Sequence, residues 1–226
     1  DMHELAIRFP NLPHATTPRG GPEANVVQRA WGDPVHHPFP ARQHDEIGAA
    51  LGIAEFERAT RMSGPGFAVL TGAGAKLSRA LINYMLDLHT SQHGFTEVNI
   101  PYLVKRESLF GTGQLPKLED DMYLAERDDL FLIPTAEVSI TNLFREETLN
   151  ERDLPRFFVG YSACFRREAG SYGKDTRGMI RVHQFDKVEL IKIVKPEDGY
   201  AELEQLLMNA ERVLQLLGLH YRVVLL

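Results

Sequence analysis

Apolar and polar positions follow two rhythms along this chain. Between Ile180 and Leu190 the even positions are mainly apolar (Ile180, Val182, Val188, Leu190), and the odd ones carry Arg181, His183, Phe185, Lys187 and Glu189. A period of two predicts a strand with one face on a core and the other free to carry chemistry. "YSACFRRE" (161–168) behaves likewise, with Cys164, Arg166 and Glu168 on one face and Tyr161, Ala163, Phe165 and Arg167 on the other. Joined by the glycine-rich, charged "AGSYGKDTRG" (169–178), the two segments predict a hairpin. In the right register it gathers Arg166, Glu168, Arg181, Phe185 and Glu189 on one open surface. Arg181, Phe185 and Glu189 would then spread over roughly 26 Å at the usual strand rise, the length of a nucleotide with a small second group. The plainer reading is a solvated edge hairpin, but an aromatic ring amid charges suits a stacking platform.

The second rhythm is helical. It predicts a helix over Asp45–Met62 that ends at the breaker "SGPG", followed by a short strand in "FAVLTG". Leu77, Leu81, Met85 and Leu88 then form an amphipathic stripe on a helix ending near Gly94. "GAGAK" at its start lacks the spacing of a phosphate loop. "FTEVNIPYLV" predicts a strand interrupted by Pro101, at an edge, bulge or interface. "GTGQLPKLEDDMY" predicts a mobile loop, "LFLIP" a strand, and "TAEVSITNLFREETL" the start of a helix. Thr135 and Glu137 fall at that strand-to-helix junction, a frequent ligand position; N-terminal capping is the simpler role for Thr135. Tyr200, Leu203, Leu207, Ala210, Leu214 and Leu217 predict a last helix stopping at Gly218, and "YRVVLL" begins a further strand. The class predicted is α+β: an antiparallel sheet flanked by helices.

Residues 1–44 stand apart. Seven of the 13 prolines lie there (Pro10, Pro13, Pro18, Pro22, Pro34, Pro38 and Pro40), which predicts an extended surface linker pinned by burial of Trp31. His36, His37 and His44 match no zinc spacing and read as solvated linker histidines. The remainder, 45–226, is long enough for one sizeable core at 43% hydrophobic residues. A net charge of −6 makes the chain as a whole no electrostatic attractor for nucleic acid. The single cysteine, Cys164, excludes an internal disulfide and reads as a small buried hydrophobe. No apolar run approaches the roughly 20 residues that span a bilayer, so no membrane partner is expected. No signal peptide is visible, and a first residue of Asp1 reads as a fragment or processed form.

"GFTEVNIPYLV", "GTGQLP", "LIPTAEV" and "FRREAGSYGKDTRGMIRVHQFDKVEL", with the leading "PNLPH" and "NVVQRAWG", resemble the seryl-tRNA synthetase family of class II aminoacyl-tRNA synthetases. That resemblance implies a class II catalytic core over 45–226, truncated before the third motif, and a linker over 1–44 that follows a missing tRNA-binding arm. It implies activation of L-serine with ATP and transfer to tRNA(Ser), in a cytoplasmic homodimer joined through 76–104. It assigns ATP to Arg166, Arg167, Glu168, Arg181, Val182 and Phe185, and serine to Thr135, Ala136, Glu137, Arg166 and Glu189. Arg166 is the catalytic residue in this assignment. Mg2+ accompanies ATP, with ligands expected beyond the chain end. Two other readings are a non-catalytic synthetase-like dimerisation or regulatory module, and a ligase that loads an amino acid onto a carrier protein. Retention of Arg166, Glu168, Phe185, Thr135 and Glu189 together opposes the module; "TAEV" and the linker oppose the carrier ligase.

Overall fold

The computed structural model of the chain describes residues 2–169 and 177–226, so the 170–176 part of the predicted hairpin loop lies outside the described residues. In chain order come helix α1 (Met2–Ala6), strand β1 (Val26–Trp31), helix α2 (His44–Ala50), strand β2 (Ala54–Glu55), helix α3 (Phe56–Ser63) and strand β3 (Val69–Leu70). Helix α4 (Ala73–Ser91), strands β4 (Thr96–Glu97) and β5 (Leu103–Lys105) and helix α5 (Arg106–Gly111) follow. Then come strands β6 (Tyr123–Ala125) and β7 (Leu130–Leu132), helix α6 (Ala136–Thr141), strands β8 (Arg156–Phe165) and β9 (Gln184–Ile193), helix α7 (Gly199–Leu216) and strand β10 (Tyr221–Leu225). The chain forms two compact units, residues 1–40 with 203–226, and residues 41–202.

In the first unit β1 pairs antiparallel with β10, from Val26 opposite Leu225 to Trp31 opposite Tyr221. The proline-rich segment therefore contains a strand where an extended linker is predicted. Its prolines permit this: none lies between Pro22 and Pro34, so every ladder donor of β1 is present. Trp31 is not buried as expected. It stays 38% exposed, and its ring stacks on Tyr221 with centroids 6.0 Å apart. Arg29 reaches Glu211 on α7 at 2.6 and 2.9 Å and holds that buried carboxyl below its usual range. Helix α7 buries Val213 but leaves Leu203 of the predicted stripe exposed, and Leu217 lies just past its end and is exposed too.

In the second unit β8 and β9 form the predicted hairpin, paired from Arg156–Ile193 to Phe165–Gln184. Strand β4 joins β8 in parallel, the one parallel pair among the described strands, and β5, β7 and β6 make a separate antiparallel sheet. Pro101 lies between β4 and β5, so the interruption read in "FTEVNIPYLV" is a passage from one sheet to the other. The helix predicted over 45–62 is two helices, because Gly52 takes a φ of +64° and turns the chain between them. Helix α4 buries Leu88 of the predicted stripe and half-buries Leu81 and Met85, with Leu86 and His89 widening the buried face, while Leu77 near its start remains exposed. The predicted mobile loop is anchored: Leu115 and Met122 are buried, and Tyr123–Ala125 pairs with β7. Both residues join a core with Ile100, Val104, Leu109, Phe131, Ile133 and the buried face of α6. Each such side chain contributes about 1.5–3 kcal/mol on burial, which outweighs the loop character of the surrounding glycines and charges.

Candidate functional site

The hairpin register sets the site. Gly160 faces Glu189, Ser162 faces Lys187 and Cys164 faces Phe185. Directly opposed antiparallel residues project to one face, so three small residues of β8 lie beside three long ones of β9. Ser162 and Cys164 are fully buried, and burial raises the Cys164 thiol pKa. Gly160 makes room for helix α6. A Cβ there would sit 2.9 Å from Ile140 Cδ1 and 3.2 Å from the Val98 carbonyl oxygen. Only with that space does the buried face of α6 (Ala136, Val138, Ile140) settle beside the strands and bring its N-terminus to Glu189.

At that N-terminus Thr135 caps the helix, its hydroxyl accepting the Glu137 N–H at 3.3 Å. The same hydroxyl donates to Glu189 Oε2 at 2.5 Å and accepts from Lys187 Nζ at 2.9 Å. Lys187 also pairs with Glu189 at 2.7 Å. Capping and site membership are thus one arrangement at Thr135. Burial, and then the charge of Glu189, raise the pKa of the Glu137 carboxyl, against a lowering influence of Lys187. Ala136 is fully buried behind these groups, so its side chain offers a ligand nothing. Thr135, Glu137 and Glu189 are brought together as predicted, and Lys187 is the member that was missed.

The other end of the hairpin holds the predicted nucleotide residues. Strand β9 begins at Gln184, so the alternation read from Ile180 is not all strand: Arg181–His183 form a bend. The His183 N–H donates to the Gly66 carbonyl at 2.8 Å, and the Arg166 N–H donates to the His183 carbonyl at 3.0 Å. The Arg166 guanidinium lies over the Phe185 ring, 5.1 Å from its centroid, and no carboxylate of the described residues pairs with it. Glu168, at φ +51°, pairs with Arg181 at 3.0 Å. Val182 is buried. Arg167 is not brought to this group. Its N–H donates to the Asp121 carbonyl at 2.9 Å, its Nε donates to the Met122 carbonyl at 2.9 Å, and its guanidinium covers Tyr123.

Several supporting residues were not legible. His183 places Nδ1 3.0 Å from the Arg166 carbonyl and its ring against Phe67. Gly66 must be glycine there, since a Cβ would meet that ring at 2.5 Å. Both ends of the loop are tethered. The Ala169 N–H donates to Asp121 Oδ1 at 2.8 Å, Arg177 pairs with Asp45 and Glu46 at 2.5 and 3.0 Å, and the Met179 N–H donates to His44 Nε2 at 2.8 Å. His44 is therefore a loop anchor and not a solvated linker histidine. Among the described residues no three His, Cys, Asp or Glu side chains group into a metal site, and no helix is long and apolar enough to cross a membrane.

An antiparallel hairpin within a three-stranded sheet carries an arginine over an aromatic ring, with no carboxylate partner among the described residues, beside a carboxylate-rich recess at a helix N-terminus, and this arrangement has the core fold of the class II aminoacyl-tRNA synthetases. Residues 118–226 match the family model described as the tRNA synthetase class II core domain (G, H, P, S and T). Over its whole length the chain is similar to serine–tRNA ligases. It is 56% identical over 227 residues to a serine–tRNA ligase of a Sulfurihydrogenibium species, covering 100% of this chain and 54% of that protein. Among solved structures it is similar to seryl-tRNA synthetase from Pyrococcus horikoshii complexed with ATP, at 36% identity and a TM-score of 0.94, covering 99% of this chain and 54% of that one. It is also similar to cytoplasmic serine–tRNA ligase from Naegleria fowleri in complex with AMP, at 30% identity and a TM-score of 0.91, covering 98% and 53% of the two chains. The chain thus spans about half the length of the relatives it matches.

Proposed function

We propose that the protein carrying this chain activates L-serine with ATP to seryl-adenylate and transfers the seryl group to tRNA(Ser). The observation that carries the reading is the Arg166 guanidinium, held over Phe185 without a carboxylate partner among the described residues, on the face that also bears Glu189. In the proposed reaction a serine carboxylate oxygen bonds to the α-phosphorus of ATP, the bond to the bridging oxygen breaks, and pyrophosphate leaves. Two anions must meet, and a guanidinium touching both offsets their repulsion and follows the charge into the transition state. No general base is needed, because the carboxylate is already ionised. Phe185 would stack on adenine, Glu168 and the backbone near Val182 would hold the nucleotide, and Arg181 would help with the triphosphate. Arg167, turned toward Met122 and Tyr123, is left a supporting part in this scheme. Thr135, Glu137 and Glu189 would receive the serine ammonium and hydroxyl. A site built to pair a hydroxyl rejects alanine, since its own polar groups would stay buried and unpaired.

Mg2+ would accompany ATP in this reading. A cytoplasmic homodimer joined through 76–104 belongs to the same reading. Exposed Leu77 and Leu103 support it, and sedimentation of the intact protein as a stable monomer at micromolar concentration would count against it. The main test is pyrophosphate exchange into ATP with each of the twenty amino acids. Exchange with serine alone is expected; absence of serine-dependent exchange overturns the reading and returns the non-catalytic module.

A further inference from the structure

Lys187 joins two elements at the proposed amino-acid subsite. Its Nζ lies 2.9 Å from the Thr135 hydroxyl, the cap of α6, and 2.7 Å from Glu189 on its own strand. A threonine hydroxyl has one proton and two lone pairs. The Lys187 ammonium and the Glu137 N–H occupy the lone pairs, so the proton goes to Glu189 Oε2. Oε2 thus takes Thr135 and Lys187, and among the described residues no donor reaches Oε1. A carboxylate oxygen accepts and never donates, so whatever meets Oε1 must be a donor.

Charge points the same way. Glu137 and Glu189 carry two negative charges and Lys187 one positive, which leaves one negative charge unpaired in a half-buried recess. That balance complements a single cation such as the α-ammonium of an amino acid. Without Lys187 the two carboxylates would face each other with no cation between them, which raises the Glu137 pKa further. We propose that Lys187 is a positioning residue: by holding Thr135 and Glu189 Oε2 it aims Oε1 and one net negative charge at a cationic hydrogen-bond donor, the ammonium or hydroxyl end of the amino acid. This rests on the serine-activation reading and adds a residue to it. A lysine on a strand is more often a solvated surface charge, but such a residue does not bridge the cap of one element to the carboxylate of another.

The test compares Lys187→Gln, which keeps a donor and removes the charge, with Lys187→Arg in the full-length protein, by serine-dependent pyrophosphate exchange from about pH 6 to pH 9. The groups acting on Glu137 are Glu189 and Lys187, so loss of the Lys187 charge should move the acidic limb of the serine KM profile to higher pH. Lys187→Gln is expected to raise the KM for serine on the order of thirtyfold or more while the KM for ATP stays within about twofold, and Lys187→Arg to restore most of the loss. An unchanged serine KM, a parallel rise for ATP, an unmoved pH limb or a chain that no longer folds would each overturn the positioning role. A wild-type protein without serine-dependent exchange would overturn the function reading and this role with it. An active wild type with an indifferent Gln variant would remove Lys187 alone.

Discussion

Replacing Thr135 by valine removes one hydroxyl from a residue only 4% exposed and leaves its shape almost intact. Three hydrogen bonds go with it. The cap to the Glu137 N–H, at 3.3 Å, is worth about 1 kcal/mol. The bonds to Lys187 at 2.9 Å and Glu189 at 2.5 Å would contribute about 1 kcal/mol each in isolation. Glu189 is not orphaned, however, because Lys187 stays 2.7 Å away, so the cost of those two together is nearer one bond than two. The expected loss is about 2 kcal/mol, and burial keeps water from replacing the missing partner. Urea unfolding of wild type, Thr135→Val and Thr135→Ser measures it, with the m-value held common if the transitions stay parallel. Serine keeps the hydroxyl and gives up a methyl group, so it should cost about half as much as valine. The reasoning fails if valine lies within about 0.5 kcal/mol of wild type, or if serine is as damaging as valine, since methyl packing and not the hydroxyl would then hold the cap.

Arg166→Ala should lower serine-dependent exchange about a hundredfold or more with little change in melting temperature, because its guanidinium rests on a ring and not in the core; exchange assays beside thermal melts check this. Gly160→Ala should cost about 1–3 kcal/mol through the Ile140 Cδ1 and Val98 carbonyl contacts, and Ile140→Val, which deletes that Cδ1, should recover part of it in a double-mutant cycle. His89 has a pKa lowered to about 4 by burial and then by His93, whose Nδ1 lies 2.9 Å from its own. Its folded pKa lies below its unfolded one, so the folded state binds fewer protons: stability is full above about pH 6.5 and falls as pH drops toward 4, by about 2 kcal/mol between pH 7 and pH 5. Urea midpoints at those two pH values, with His89→Leu flattening the difference, measure it.

The hairpin was legible because one of its faces packs on apolar side chains while the other carries the polar groups of the site, and that difference between faces is what makes a period of two. Its limits were not legible. Ile180 to His183 keep the alternation, yet the Gly66 carbonyl takes the His183 N–H, and that competing acceptor comes from a loop more than a hundred residues earlier in the chain. Strand β1 was hidden for a similar reason: its partner, Tyr221–Leu225, lies at the far end of the chain, and the surrounding prolines dominate the local pattern. The helix predicted over 45–62 failed at one residue, Gly52, where a left-handed φ outweighs a continuous helical rhythm.

Within the site, the alternation settled which face each residue occupies and nothing about which neighbour it would meet. That suffices for Phe185 and Glu189, which need only face outward together. It does not suffice for Arg167, whose partners are Met122, just before β6, and Tyr123, on β6 of the other sheet. Lys187 is different, because its role follows from the rhythm once stated physically. It lies between Phe185 and Glu189 on a period of two, so it must share their face. Residues two apart on a strand are roughly 7 Å apart, within the reach of a lysine side chain. A lysine beside a carboxylate assigned to read a cation either neutralises that carboxylate or, with a second acid at hand, leaves the recess one negative charge. The second acid, Glu137, is supplied by α6, and Gly160 gives that helix its place.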